Sequence, residues 1–125
     1  MFILASTSVQ RKELLEQAGV EIDKIIDPGI DETQLKSEMP MQYVRRMAVE
    51  KSYAVQKDEA DFVLTADTVV IRGGRVLGKP RNVEEAEMYL KLLSGRKHRV
   101  VSSICLAHNQ KIIIRDVITS VKMKR

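Results

Sequence analysis

Two hydrophobic rhythms alternate along the chain, and their order predicts its elements. Phe2-Ile3-Leu4-Ala5 is a short apolar run that reads as a strand, followed by a Ser6-Thr7-Ser8 turn. A helix then runs through Arg11, Leu14, Leu15 and Ala18 to a stop at Gly19. Ile25-Ile26 predicts a brief strand, Asp27-Pro28-Gly29 a turn and Asp31-Glu32-Thr33 an acidic loop. Pro40 suits the first turn of a second helix. Tyr43, Val44, Met47, Ala48 and Val55 recur there at helical spacing, with Arg45, Arg46, Glu50 and Lys51 at the other positions. Met41 and Met47 read as core filler. Phe62 to Ile71 is almost wholly apolar and reads as a buried strand. Arg72-Gly73-Gly74-Arg75 is a two-glycine hairpin with Val76-Leu77 starting the return strand. Asn82, with Glu85 after it, opens a third helix whose stripe of Ala86, Tyr89, Leu90 and Leu93 is predicted to be buried before Ser94-Gly95 ends it. From His98 the chain is β again. Val100-Val101 and Ile104 to Ala107 form one strand, His108-Asn109-Gln110 a turn, and Lys111 to Lys122 another strand.

That order predicts a mixed α/β fold whose sheet combines parallel and antiparallel pairs, flanked by helices. At 125 residues the chain fits a single domain over 1–125 with its own core. A hydrophobic share of 44% beside 30% charged residues suits a globular chain rather than a disordered one. Cys105 is the one cysteine and lies in an apolar run, so an intrachain disulfide or zinc cluster of cysteines is excluded, and a packed thiol is the reading. Met1-Phe2-Ile3-Leu4 is too short for a targeting segment, and no apolar run spans a membrane, so a reduced, cytoplasmic setting is expected. The net charge of +4 points weakly to an anionic partner. Its few aromatic residues are not interleaved with basic clusters, so base-stacking platforms are not visible and no nucleic-acid partner is expected. G-x-G-x-x-G and Walker A patterns are absent from the sequence.

The candidate chemistry centres on Asp67, the single charge in the run Phe62 to Ile71. An ionised carboxylate inside such a strand is costly unless a cation, a metal or hydrogen bonds satisfy it. Asp67 could instead end one strand and cap the next turn. Lys79, in the turn Gly78-Lys79-Pro80 just past the hairpin, can return to the same edge. Lys51 borders the apolar face of the second helix and could snorkel into a cleft. Ser6, Thr7 and Ser8 precede a helix N-terminus, a geometry that binds phosphate, and Arg11 can point back to the same anion. The plainer alternative there is an N-cap by Ser6 or Ser8 beside a solvent-facing Arg11. The acids Asp31 and Glu32 gain interest only if the fold brings them opposite Asp67, where carboxylates could share a divalent ion.

Assembled, the motifs resemble one family, the Maf-like nucleoside triphosphate pyrophosphatases. The resemblance rests on Leu4-Ala5-Ser6-Thr7-Ser8 with Arg11, Asp31-Glu32-Thr33, Ala48 with Lys51, Ala66-Asp67-Thr68-Val69-Val70, Leu77-Gly78-Lys79-Pro80 and Leu93-Ser94-Gly95 with His98 and Val100. They stand in the family's order and cover almost the whole chain. The resemblance implies a Maf/inosine-triphosphatase-like fold. It also implies hydrolysis of a nucleoside triphosphate, dTTP or UTP by preference, to the monophosphate and pyrophosphate, with Mg2+ or Mn2+ as cofactor. It makes Asp67 the catalytic acid-base carboxylate and, with Glu32, a metal ligand. Ser6, Ser8, Gln10, Arg11, Lys51, Thr68 and Lys79 become substrate-binding residues. A homodimer in the cytoplasm with a link to septum formation and cell division is the expected setting.

The chain also departs from the family pattern. The first turn reads Ser8-Val9-Gln10-Arg11 where the family has Ser-Pro before its arginine. Gln10 stands where arginine marks the dTTP/UTP group and an aromatic the 7-methyl-GTP group. Thr68 favours the pyrimidine group, and the wording Ser6-Thr7-Ser8 leans slightly the other way. Family members continue past Val121-Lys122-Met123 with an Asp-Lys-Ala-Gly stretch and a substrate-contacting glutamine, so a chain truncated relative to the family is expected. A catalytically silent nucleotide-binding or regulatory protein is the second reading.

Overall fold

In the computed structural model, residues 1–55, 57–78 and 81–122 are described. Lys79, Pro80 and the terminal Met123 to Arg125 lie outside them. The sheet is organised around β3 (Phe62–Arg72), which is long enough to serve several partners. Along one edge it pairs antiparallel with β5 (Lys97–His108) from Phe62 to Ile71, and β5 pairs in turn with β6 (Lys111–Lys122). Along its other edge two short strands share it. β1 (Phe2–Leu4) runs parallel to Phe62 to Leu64, and β4 (Arg75–Leu77) returns antiparallel on Val70 to Arg72. β2 (Lys24–Ile25) extends the sheet beyond β1. Between Leu64 and Val70 that edge of β3 therefore has no strand beside it among the described residues. The sheet is mixed, as the element order predicts.

The turns follow their residue types. Gly73 takes a φ of 59° in the hairpin between β3 and β4. Asn109 and Gln110 take φ of 50° and 62° between β5 and β6, a two-residue loop with both residues left-handed. The predicted strand at Ile25-Ile26 falls one residue earlier, at Lys24–Ile25.

Among the described residues, three helices accompany the sheet. α1 (Val9–Gln17) is capped by Ser8, whose Oγ accepts from the Arg11 amide at 3.3 Å. α2 (Pro40–Ala54) buries Tyr43, Val44, Met47 and Ala48, as their spacing predicts, and Val55 is buried just past its end. α3 (Val83–Leu93) begins as expected, with Asn82 Oδ1 accepting from the Glu85 amide at 2.8 Å. Its apolar stripe is not buried as predicted. Ala86, Tyr89 and Leu93 are half-buried and Leu90 is exposed. The amphipathic pattern correctly marks the apolar side of α3, but burial needs a neighbour to close over that side.

On the sheet face covered by α2 the core divides in two. One cluster joins Tyr43, Val44 and Met47 to Val69, Ile71 and Val101. The other joins Ile3, Ala5 and Val55 to Val63 and Ala107. Between them along β3 stand Thr65 and Asp67, both buried. Thr65 Oγ1 donates to the Ala48 carbonyl of α2 at 2.6 Å and pins helix to strand there. Met47 is wholly buried, whereas Met41 packs only at the rim of the first cluster. Met47→Ala is expected to lower unfolding stability by about 2–5 kcal/mol. Met41→Ala is expected to cost clearly less in the same urea titration. Equal losses would contradict this location for the core.

Candidate functional site

The gap in the β3 edge opens into a cavity of about 750 Å³. The chain leaves β1 through Ser6-Thr7-Ser8, which form one wall, and Asp27 to Ile30 form another. Asp67, Thr68 and Val69 supply its floor from the unpaired part of β3. A β-strand carries successive side chains on opposite faces. Asp67 therefore points under α2 and is buried, while Thr68 points to the other face and is exposed. Asp67 neither ends a strand nor caps a turn.

Lys51 meets Asp67 from α2. Its ammonium lies 3.0 Å from Asp67 Oδ1 and 3.2 Å from Glu32 Oε1, with the lysine and aspartate side chains both largely buried. Burial pushes the Asp67 carboxyl above the ordinary carboxylate pKa, and the Lys51 charge opposes that rise without cancelling it. Glu32 reaches this point from an irregular loop that α2 holds in place. Tyr43 donates its hydroxyl to the Glu32 carbonyl at 2.6 Å. Arg46 donates to the Thr33 carbonyl at 3.0 Å, pairs with Glu38 at 2.6 Å and lies over the Tyr43 ring. Burial, with Asp67 and Glu32 nearby, raises the Tyr43 pKa and keeps its hydroxyl a donor.

A second group of contacts crosses the cavity on the side of Thr68. Arg11 donates to Ser6 Oγ at 3.1 Å and to Thr68 Oγ1 at 3.3 Å. It is thus turned inward over the cavity, not outward to solvent. Ser6 Oγ also accepts from the Ser8 amide at 3.1 Å. Thr68 is in turn 2.7 Å from Ser102 Oγ of β5. Arg81 adds a further cation at the cavity wall, where it pairs with Glu85.

The expected residues Ser6, Ser8, Arg11, Glu32, Lys51, Asp67 and Thr68 all line this cavity. Gln10 does not. Successive helical residues are about 100° apart, so an α1 that turns Arg11 inward directs Gln10 toward Glu13, Leu14 and Gln17 on its outer surface. Lys79 lies outside the described residues. Tyr43, Ser102 and Arg81 were not signalled as site residues by the sequence. The Tyr43 ring belongs to an apolar stripe that masks the use of its hydroxyl, and Ser102 gains meaning only from its strand register. Cys105 is buried and its thiol pKa is raised by that burial, so it is packed and not a nucleophile.

Two carboxylates sharing one ammonium are also suited to share a metal cation. Among the described residues no group of three or more His, Cys, Asp or Glu side chains could hold a metal ion. Mg2+ is commonly held by one or two carboxylates together with substrate phosphates and water, and the pair Asp67 and Glu32 fits that donor set.

The family model described as "Maf-like protein" matches residues 1–125. The chain is 51% identical over 124 residues to the dTTP/UTP pyrophosphatase of Roseobacter denitrificans, covering 99% of this chain and 66% of that protein. It is 47% identical to the nucleoside triphosphate pyrophosphatase of Anaplasma marginale, covering 98% of this chain and 63% of that protein. The chain thus spans just under two thirds of the length of these curated relatives. Among solved structures it superposes on the Staphylococcus aureus Ham1 protein with a TM-score of 0.63 at 15% identity, over 97% of this chain and 70% of that one. The HAM1 protein of Coxiella burnetii gives 0.58 at 17%, over 97% and 71%. At these identities it is the α/β fold that is shared.

The burial of Asp67 has a measurable consequence for stability. Because its folded pKa is raised, its contribution to stability is full below the ordinary carboxylate pKa and is lost as pH rises through the raised value. Thermal melts of metal-free Asp67→Asn are expected to approach wild type at acidic pH. At neutral pH the variant should melt at an equal or higher temperature. A lower melting temperature at neutral pH would make ionised Asp67 a net contributor to stability.

Proposed function

The chain belongs to the Maf-like family, and from that premise we propose that it hydrolyses a nucleoside triphosphate, dTTP or UTP by preference, to the monophosphate and pyrophosphate. The observation that carries the reading is the buried Asp67 carboxylate, held 3.0 Å from the Lys51 ammonium at the floor of a cavity that Arg11 also enters. The names of the relatives support the substrate class.

A triphosphate carries about four negative charges, which repel an incoming water and must be balanced before attack. Arg11 presents a planar fork to phosphate oxygens, and its contacts with Ser6 and Thr68 fix that fork across the cavity. Lys51 adds a point charge from the opposite face. The amides at the start of α1 add donors at a positive dipole end. Asp67 is the general base in this proposal: it takes the proton of the attacking water as the bond from the α-phosphorus to its bridging oxygen breaks and pyrophosphate leaves. A divalent cation held by Asp67 and Glu32, Mg2+ or Mn2+, would supply charge neutralisation at the phosphates and acidify bound water.

The proposal includes a cytoplasmic homodimer. The lone buried thiol suits a reducing compartment. Dimerisation is supported by β6, whose Ile113, Val117 and Ile118 are exposed along a strand with no second neighbour among the described residues. Light scattering should then give twice the mass of the chain, and a monomer at assay concentration would remove this part of the reading.

Pyrophosphate release from a panel of nucleoside triphosphates, with Mg2+ or Mn2+ and after chelation, tests the activity. Turnover of dTTP or UTP is expected, with Asp67→Asn slower by about 10²–10⁴-fold. Nucleotide binding by folded protein without release would instead assign the silent binding reading.

A further inference from the structure

Thr68 stands at a crossing of two contacts, only one of which involves a residue lining the cavity. Its Oγ1 accepts from Arg11 at 3.3 Å, and on its other side Ser102 Oγ lies at 2.7 Å. Ser102 is the register partner of Thr68 on β5 and is half-buried outside the cavity lining. A hydroxyl has one hydrogen to donate and two lone pairs. If Ser102 donates, Thr68 accepts from both neighbours and its own hydrogen is left for a third partner. Thr68 lines the cavity, and a phosphate oxygen can only accept. An anion in the cavity therefore selects that arrangement.

We propose that Ser102 is a positioning residue for the phosphate site: it donates to Thr68 Oγ1, so that Thr68 both holds Arg11 and turns its own proton toward a bound phosphate oxygen. The inference rests on the triphosphate reading above and extends it to a residue that does not itself touch substrate. The contact also selects a side-chain conformation. Rotating Thr68 by about 120° about χ1 would bring its methyl group where Oγ1 now faces Arg11. The Ser102 hydroxyl favours the rotamer that keeps Oγ1 in place.

Binding of inorganic pyrophosphate, measured by calorimetry, tests this without requiring turnover, and steady-state kinetics supply a second readout. Ser102→Ala is expected to weaken pyrophosphate binding and raise KM by about 3- to 10-fold, the effect of one hydrogen bond, with kcat changed far less. Ser102→Thr, which keeps the hydroxyl, is expected to restore both values. In a Thr68→Val background Ser102→Ala should add nothing, because the two act as one unit. Unchanged binding in Ser102→Ala, failure of Ser102→Thr to rescue, or an undiminished effect without the Thr68 hydroxyl would each overturn the proposal. If wild type binds pyrophosphate and turns over nucleotide while Ser102→Ala matches it, the positioning role alone falls. If folded wild type binds neither pyrophosphate nor nucleotide, the functional reading falls with it.

Discussion

An ionised carboxylate can stand in the middle of a strand, beneath a packed helix, only where a cation reaches it. Here that cation is the Lys51 ammonium, and much of the site follows from its position. To reach Asp67 at 3.0 Å, Lys51 must leave the edge of the apolar face of α2 and run inward. That fixes the rotation of α2 over β3, which Thr65 reinforces through its bond to Ala48. The same ammonium lies 3.2 Å from Glu32, so an otherwise irregular loop gains a defined end point beside β3. Replacement of such a pair by apolar residues of similar shape is often neutral or favourable to stability. Its presence at a cavity floor is accordingly better explained by chemistry than by folding.

The cavity itself comes from unequal strand lengths. β5 runs beside β3 for ten register pairs, whereas β1 and β4 each provide three on the opposite edge. The unclaimed stretch between them exposes backbone and side chains at one point, without interrupting the strand. Ser6 to Ser8 and α1 begin where β1 stops, so a helix N-terminus is brought to the same opening. Ligand sites in α/β sheets characteristically form beyond the carboxyl ends of strands, and β1 supplies that end here.

Much of this was legible in the residues, for definite reasons. Asp67 was visible as the single charge in an apolar run, and Lys51 as a charge bordering a helical stripe. Both signals arise from periodicity, which survives without tertiary information. Glu32 sits in a loop with no period, and its approach to Asp67 depends on contacts from Tyr43 and Arg46 that no spacing reveals. Gln10 was matched by motif position alone, while its direction is set by the rotation of α1. The α3 stripe shows the complementary limit. Its pattern identifies an apolar face, but sequence cannot supply the neighbour that covers it.

The strand register shows why the polar groups of the candidate site and those that hold the sheet together need not be separate. Asp67, Ser103 and Asp116 are successive partners across β3, β5 and β6, so they form one row on the face under α2. Arg45 pairs with Asp116, which also accepts from Ser103 at 3.0 Å, and holds that carboxyl below its ordinary range. One residue further along β3, Thr68 and Ser102 form a second polar row on the opposite face. The two apolar clusters lie on either side of the first row, at Val63 and at Val69 and Ile71. A polar band therefore crosses the sheet at the level where one edge of β3 has no strand beside it among the described residues. Continuous apolar packing on both sides confines it, and internal pairing keeps its cost low. Of this band, Asp67 and Thr68 line the cavity, and Ser102, Ser103 and Asp116 stand behind them on β5 and β6.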